Sequence, residues 1–211
     1  MTKGVYRITE EFEEAIAEYT GSKYVVAIDN ASNALFLSLK FVNIKEKEIT
    51  IPSRTYPSVP CEIIRAGGFV VFEPSISKTL KGAYQLKPTN VWDSALRFTH
   101  NMYIPESFMI LSFTGPYKHL KLGKGGAILT DNYEAFLWFK RMRFSGRREC
   151  SYHTDNFDMI GYNMYLMPEI AARGLLLMKQ FCDLNGNPKT NEDIELPYPD
   201  LSKFEIYTRR K

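Results

Sequence analysis

Tyr24-Val25-Val26-Ala27-Ile28-Asp29-Asn30-Ala31-Ser32-Asn33 is the stretch that decides the fold class. Its first five residues are apolar without alternation, the mark of a strand covered on both faces. Its second half is rich in helix-capping residues. A helix then follows, with Ala34, Leu35, Leu37 and Phe41 on one stripe. Upstream, Thr9 reads as the cap of a helix whose first turn holds Glu10 and Glu11, and Gly21 ends it. Downstream the alternation recurs: strands at 48–51, 69–72, 90–92 and 108–113, helices at 59–65 and 134–143. A further strand at 126–129 follows a glycine-rich turn that allows an antiparallel return. Pro168, in a first-turn position, opens a helix expected to run to about Cys182. The expectation is an α/β protein with a mostly parallel sheet sandwiched by helices.

From Asp183 the composition changes. Asn185-Gly186-Asn187-Pro188 is turn-rich, and Pro197 and Pro199 forbid a regular helix. Residues 1–182 therefore read as one domain and 183–211 as a tail that wraps it or is partly disordered. With 45% hydrophobic and 24% charged residues, the 211-residue chain has an ordinary globular composition. Twenty-seven basic residues against 24 acidic ones give a net charge of +3, too balanced to indicate nucleic acid. No apolar run approaches the ~18–20 residues of a membrane span. The first fourteen residues lack a secretory pattern, so a cytoplasmic setting is expected. Cys61, Cys150 and Cys182 are widely spaced, as are His100, His119 and His153, which speaks against a disulfide frame or a metal site. Lys140, Arg141, Arg143, Arg147 and Arg148 read as a solvated helix face and its exit loop, with an anion-binding patch as the alternative.

Open α/β sheets bind ligands beyond the carboxyl ends of their strands, so polar groups at those ends are the candidates. Asn30-Ala31-Ser32-Asn33 opens a helix, where unpaired amides and the helix dipole favour an anion. Ordinary N-capping explains the same residues. Asp93 ends a short strand and is placed either to cap a turn or to face a cationic ring nitrogen. Lys118 lies beyond the strand Met109-Ile110-Leu111, in Ser112-Phe113-Thr114-Gly115-Pro116-Tyr117-Lys118. Partial desolvation there would favour the neutral amine that Schiff-base chemistry requires. Gly123-Lys124-Gly125-Gly126 is not a P-loop, because position 118 is lysine and Gly125 stands where Ser or Thr is needed.

Taken in order, these pieces resemble a known family. Phe12-Glu13, Tyr19-Thr20-Gly21, residues 30–39 and Pro52-Ser53-Arg54-Thr55-Tyr56 are similar to the opening of the DegT-type nucleotide-sugar aminotransferases. Ala66-Gly67-Gly68, Asp93-Ser94-Ala95, Ser112-Phe113 and Lys118-His119-Leu120 continue the match. So do Gly123 to Gly126, Gly161-Tyr162-Asn163 and Pro168-Glu169-Ile170-Ala171-Ala172. The resemblance spans about residues 4 to 182. It implies a pyridoxal phosphate (PLP) enzyme of fold type I, its large domain present and its small C-terminal domain missing or reduced. The implied reaction moves an amino group from an amino acid, usually glutamate, to a keto sugar nucleotide, in a homodimer with a shared site.

Residue by residue, the resemblance gives Lys118 the covalent link to PLP and the proton shuttle. Asp93 would keep the ring nitrogen protonated, and Tyr56 would stack on the ring. Ala31, Ser32, Asn33 and Ser112 would hold the phosphate, joined by Asn163 from the other subunit. The sequence also departs from the family. Leu96 replaces a glutamine whose contact with the ring hydroxyl Arg97 or His100 could take over. Tyr165 replaces an arginine, and one extra residue separates Ser112 from Lys118. These departures support an alternative, a catalytically degenerate module that keeps the fold for binding or interaction. A PMP-dependent dehydratase ranks third, because such relatives carry histidine where Lys118 stands.

Overall fold

The computed structural model describes residues 7–74, 80–181 and 197–208. The region at Cys182 and the turn-rich residues Asn185 to Pro188 lie outside them. Helix α1 (Arg7–Thr20) is followed by β1 (Tyr24–Ile28), α2 (Ala31–Phe41), β2 (Glu48–Pro52), α3 (Ser58–Arg65) and β3 (Phe69–Glu73). Then come β4 (Tyr84–Gln85), β5 (Val91–Asp93), β6 (Phe108–Ser112), β7 (Gly126–Thr130), α4 (Tyr133–Met142) and α5 (Pro168–Met178). Residues 201–203 and 205–207 form single 3₁₀ turns.

Five strands form one sheet in the order β1-β7-β6-β5-β4, and β2 pairs with β3. The two are joined where Thr50 and Lys87 exchange backbone hydrogen bonds of 2.8 and 3.1 Å. The expected mostly parallel sheet is not what forms. Only β5·β6 and β2·β3 are parallel among the named pairs, whereas β1·β7, β6·β7 and β4·β5 are antiparallel. The connection 86–90 is too short for a crossover, so β4 and β5 pair as an antiparallel hairpin. The connection 94–107 is long enough to cross over and joins the parallel pair β5·β6 without a helix.

Side chains alternate across the central strands and divide the core into two layers. Val26, Ile28, Ile110 and Ile128 face α2, α3 and α4, meeting Leu35, Leu37, Ile63 and Phe139. Val25, Ala27, Met109, Leu111 and Leu129 face the opposite way, against Phe12 and Ile16 of α1 and Ala171 of α5. The sheet is thus sandwiched by helices as expected. Two local expectations are corrected. Thr9 lies buried inside α1 rather than capping it. The run of basic residues is not a solvated face. Arg143 is only 3% exposed and pairs with the buried Glu13. Lys140 bonds Glu149 at 2.9 Å, Arg141 and Arg148 pair with Asp158, and Arg147 pairs with Asp155. Each cation meets an acid from another part of the chain, which a reading along one helix does not reveal.

Candidate active site

The carboxyl ends of β1, β5 and β6, the start of α2 and the loop after β2 surround a cavity of about 580 Å³. That volume falls in the ~300–1,000 Å³ range of small-molecule sites. Ala31, Ser32, Tyr56, Asp93, Ser112 and Lys118 all line it. The extra residue between Ser112 and Lys118 does not separate them.

The phosphate-like corner is built by a cap and a glycine. Asn30 is extended and its Oδ1 accepts from the Asn33 amide at 2.8 Å, which starts α2. The Asn33 amide is therefore already engaged. Its side chain donates to Asp29 at 2.8 Å and accepts from Arg65, and Asn33 does not line the cavity. The amides of Ala31 and Ser32 precede the first intrahelical donor and sit at the positive end of the helix dipole. Gly126 of β7 packs against this corner. A Cβ on it would lie 2.6 Å from the Ala31 nitrogen and 2.8 Å from the Leu111 carbonyl oxygen. Only glycine lets strand and helix start approach this closely.

Lys118 Nζ donates to the Ala95 carbonyl at 2.6 Å, and the Ala95 amide donates to Asp93 Oδ1 at 3.0 Å. Lysine and aspartate thus meet on one three-residue stretch of wall. Burial lowers the Lys118 amine from its ordinary value, and the Asp93 charge opposes that shift. The Tyr84 hydroxyl donates to Asp93 Oδ2 at 2.8 Å and lies 2.5 Å from Thr55 Oγ1. The sequence assigns no role to Tyr84, and it offers Thr55 only as part of the stretch Pro52 to Tyr56, because the two meet Asp93 only when β4 pairs with β5.

Residues 197–201 supply a further wall. Tyr198 and Pro197 line the cavity, and the Tyr198 ring meets Tyr56 edge-on at 6.1 Å. Arg54 Nη1 donates to the Tyr198 carbonyl at 3.0 Å, and the Leu201 amide donates to Ser53 O at 2.8 Å. Burial and nearby Asp93 raise the Tyr198 phenol to about 12. Tyr56 lines the cavity and is 56% exposed. Leu96 lines the cavity, whereas Arg97 and His100 do not. Arg97 donates to the Lys81 carbonyl and His100 lies beside Tyr19, which removes both as replacements for the glutamine. Asn163 is exposed, bridges to Phe144 and does not line the cavity of its own chain. Among the described residues no group of three His, Cys, Asp or Glu side chains could hold a metal.

Residues 2–81 match the model of the DegT/DnrJ/EryC1/StrS aminotransferase family. The resemblance is to the DegT type. A UDP-4-amino-4,6-dideoxy-N-acetyl-beta-L-altrosamine transaminase of Campylobacter jejuni subsp. jejuni is 24% identical over 87% of this chain and 59% of its own length. Among solved structures, the Helicobacter pylori aminotransferase PseC, involved in the biosynthesis of pseudoaminic acid, superposes with TM-score 0.67 at 18% identity. The match covers 85% of this chain and 58% of that one. A DegT DnrJ EryC1 StrS aminotransferase from Brucella abortus gives TM-score 0.63 at 20% identity, over 82% and 59%. The fold is that of these aminotransferases, fold type I. The chain spans about three-fifths of the length of the DegT-type relatives it matches.

Proposed function

We propose that this chain binds PLP and transfers an amino group from an amino acid, glutamate in the first instance, to a keto sugar nucleotide. The observation that carries this reading is the shared stretch of wall on which Lys118 and Asp93 meet, inside a cavity that also holds an anion-binding helix start. The residues present fit the group. Ala31 and Ser32 at the helix start, with Ser112 also on the cavity wall, offer donors for a phosphate. Tyr56 offers an aromatic face for a planar ring.

Bound PLP supplies an electron sink for carbanion chemistry. The chain's own residues set the conditions. Asp93 presents a carboxylate oxygen to hold a proton on a facing ring nitrogen. Partial burial lowers Lys118, favouring the unprotonated amine that can act as nucleophile and then as base. Its present acceptor, the Ala95 carbonyl, holds that amine against the cavity wall. Tyr198 and Pro197 form part of the cavity wall.

Asn163 supports a homodimeric reading, because its exposed side chain is available to a neighbouring copy. Surface thiols at Cys61 and Cys150 support a reducing, cytoplasmic setting. No helix among the described residues is long and apolar enough to cross a membrane. An absorbance spectrum recorded with PLP and then with glutamate tests the proposal. The expected result is a visible band that borohydride fixes to Lys118 and that glutamate converts to the pyridoxamine form. A protein that stays colourless, or fixation that persists in Lys118→Ala, overturns it. A band that glutamate never changes favours the binding-module alternative, for which apolar Leu96 in the cavity is the supporting observation.

A further inference from the structure

Asp93 is gripped at both carboxylate oxygens, by the Ala95 amide at Oδ1 and the Tyr84 hydroxyl at Oδ2. An ionised carboxylate only accepts, so the single Tyr84 proton points at Asp93. The Tyr84 oxygen, 2.5 Å from Thr55 Oγ1, then receives the Thr55 proton. A directed chain results, from Thr55 to Tyr84 to Asp93. Three separate parts of the fold build it. Thr55 is buried in the loop after β2, and Tyr84 sits on β4 directly opposite Asp93 of β5 in the antiparallel register. All three residues line the cavity. Burial and the adjacent Asp93 charge raise the Tyr84 phenol well above its ordinary value, so it stays a donor through the neutral range.

The geometry points to Tyr84 as the positioning residue of this site: backed by Thr55, it fixes the plane of the carboxylate that a cationic ring nitrogen has to meet. This inference rests on the PLP reading above. Each carboxylate oxygen has a second lone pair, so two hydrogen bonds orient the group and still leave an acceptor for the ligand. Rotation about the Cβ–Cγ bond of Asp93 breaks both bonds at once. Without Tyr84 the carboxylate keeps one anchor and samples orientations that miss the nitrogen.

The test is PLP affinity, by absorbance titration of the whole chain, for wild type, Tyr84→Phe, Thr55→Val, Asp93→Asn and the Tyr84→Phe/Asp93→Asn double variant. Tyr84→Phe removes one hydroxyl and keeps the ring. It is expected to weaken PLP about tenfold and to shift the pH at which the visible band changes. Thr55→Val acts in the same direction but less. The double variant is expected to bind no more weakly than Asp93→Asn alone, since Tyr84 acts only through that carboxylate. Wild-type affinity and pH profile in Tyr84→Phe overturn the inference, as do fully multiplicative losses in the double variant. Should circular dichroism show Tyr84→Phe unfolded, Thr55→Val decides the same question by the same readouts. A wild type that binds no PLP removes the proposed function and this inference with it, whereas unaltered binding in Tyr84→Phe removes only the role of Tyr84.

Discussion

Lys118 is a residue at which function and stability oppose each other. Burial lowers its pKa in the folded chain, so below that value folding carries the cost of a partly desolvated ammonium. Between the folded and the ordinary lysine value, the unfolded chain binds a proton that the folded chain does not, and stability rises with pH. Above both values the penalty is gone. Lys118→Met should therefore raise the melting temperature at pH 7, with the difference from wild type closing as the pH approaches 10.5. Melts at pH 7, 9 and 10.5 check this, and a gap that is constant with pH would show that packing rather than charge is responsible. Lys118, Asp93 and Ser32 were legible because polar residues at or beyond the ends of apolar strands stand out in the chain, and the resemblance to a known family gives them their roles. Tyr84, Thr55 and Tyr198 were not. Nothing local distinguishes a tyrosine that faces a carboxylate from one that fills a core.

At the scale of elements, strand and helix positions followed from apolar spacing, while what the elements share did not. Gly126 belongs to β7, yet its importance lies in its approach to the first residue of α2. Gly126→Ala places a methyl against backbone on both sides, and neither Ala31 nor Leu111 can move it aside by changing a rotamer. A loss of about 1–3 kcal/mol in urea unfolding is expected, accompanied by weaker PLP binding because the helix start is displaced. The run from Lys140 to Arg148 was misread for a related reason. Its partners, Glu10, Glu13, Glu149, Asp155 and Asp158, reach it only in the folded chain. Glu13 Oε1 accepts from the Ala27 amide at 2.8 Å, and Arg143 donates to the Ala27 carbonyl at 2.6 Å, so the pair clamps one residue of β1 between α1 and the end of α4. Arg143→Met leaves the buried Glu13 with only its longer contact to Lys140, at 3.6 Å, and should cost about 3 kcal/mol. Glu13→Gln/Arg143→Met should recover part of that loss, measured in the same urea titrations. A double variant as unstable as the single one would mean that the arginine contributes packing rather than charge compensation.

For the whole molecule, strand direction was the least legible property, since an apolar run buried on both faces reads alike in parallel and antiparallel pairs. Only the shortest connection, 86–90, sets direction by its length. The segments 94–107 and 113–125 are similar in length and neither holds a helix, yet the first joins a parallel pair and the second an antiparallel one. The cavity lies at one end of the strands of this mixed sheet, where residues 197–201 lie across the loop after β2. That strap is held by the Arg54 bond to the Tyr198 carbonyl, the Leu201 amide bond to Ser53 and the burial of Leu201. It carries Tyr198 to the cavity although it is far away in sequence. Such a strap has few buried contacts compared with the central strands, so it should open at lower free energy than the global transition. Arg54→Ala removes one of its ties without touching the core. Hydrogen exchange at the Leu201 amide is expected to accelerate several-fold in this variant, while amides of β1 keep their wild-type rates. With the wall loosened, PLP should also dissociate faster, because Tyr198 no longer holds its place beside Tyr56. If Leu201 exchanges at the wild-type rate, the apolar anchor alone secures the strap and Arg54 has no part in closing the site. Acceleration that spreads into β1 would instead make residues 197–208 integral to the core, contrary to their reading as an appendage.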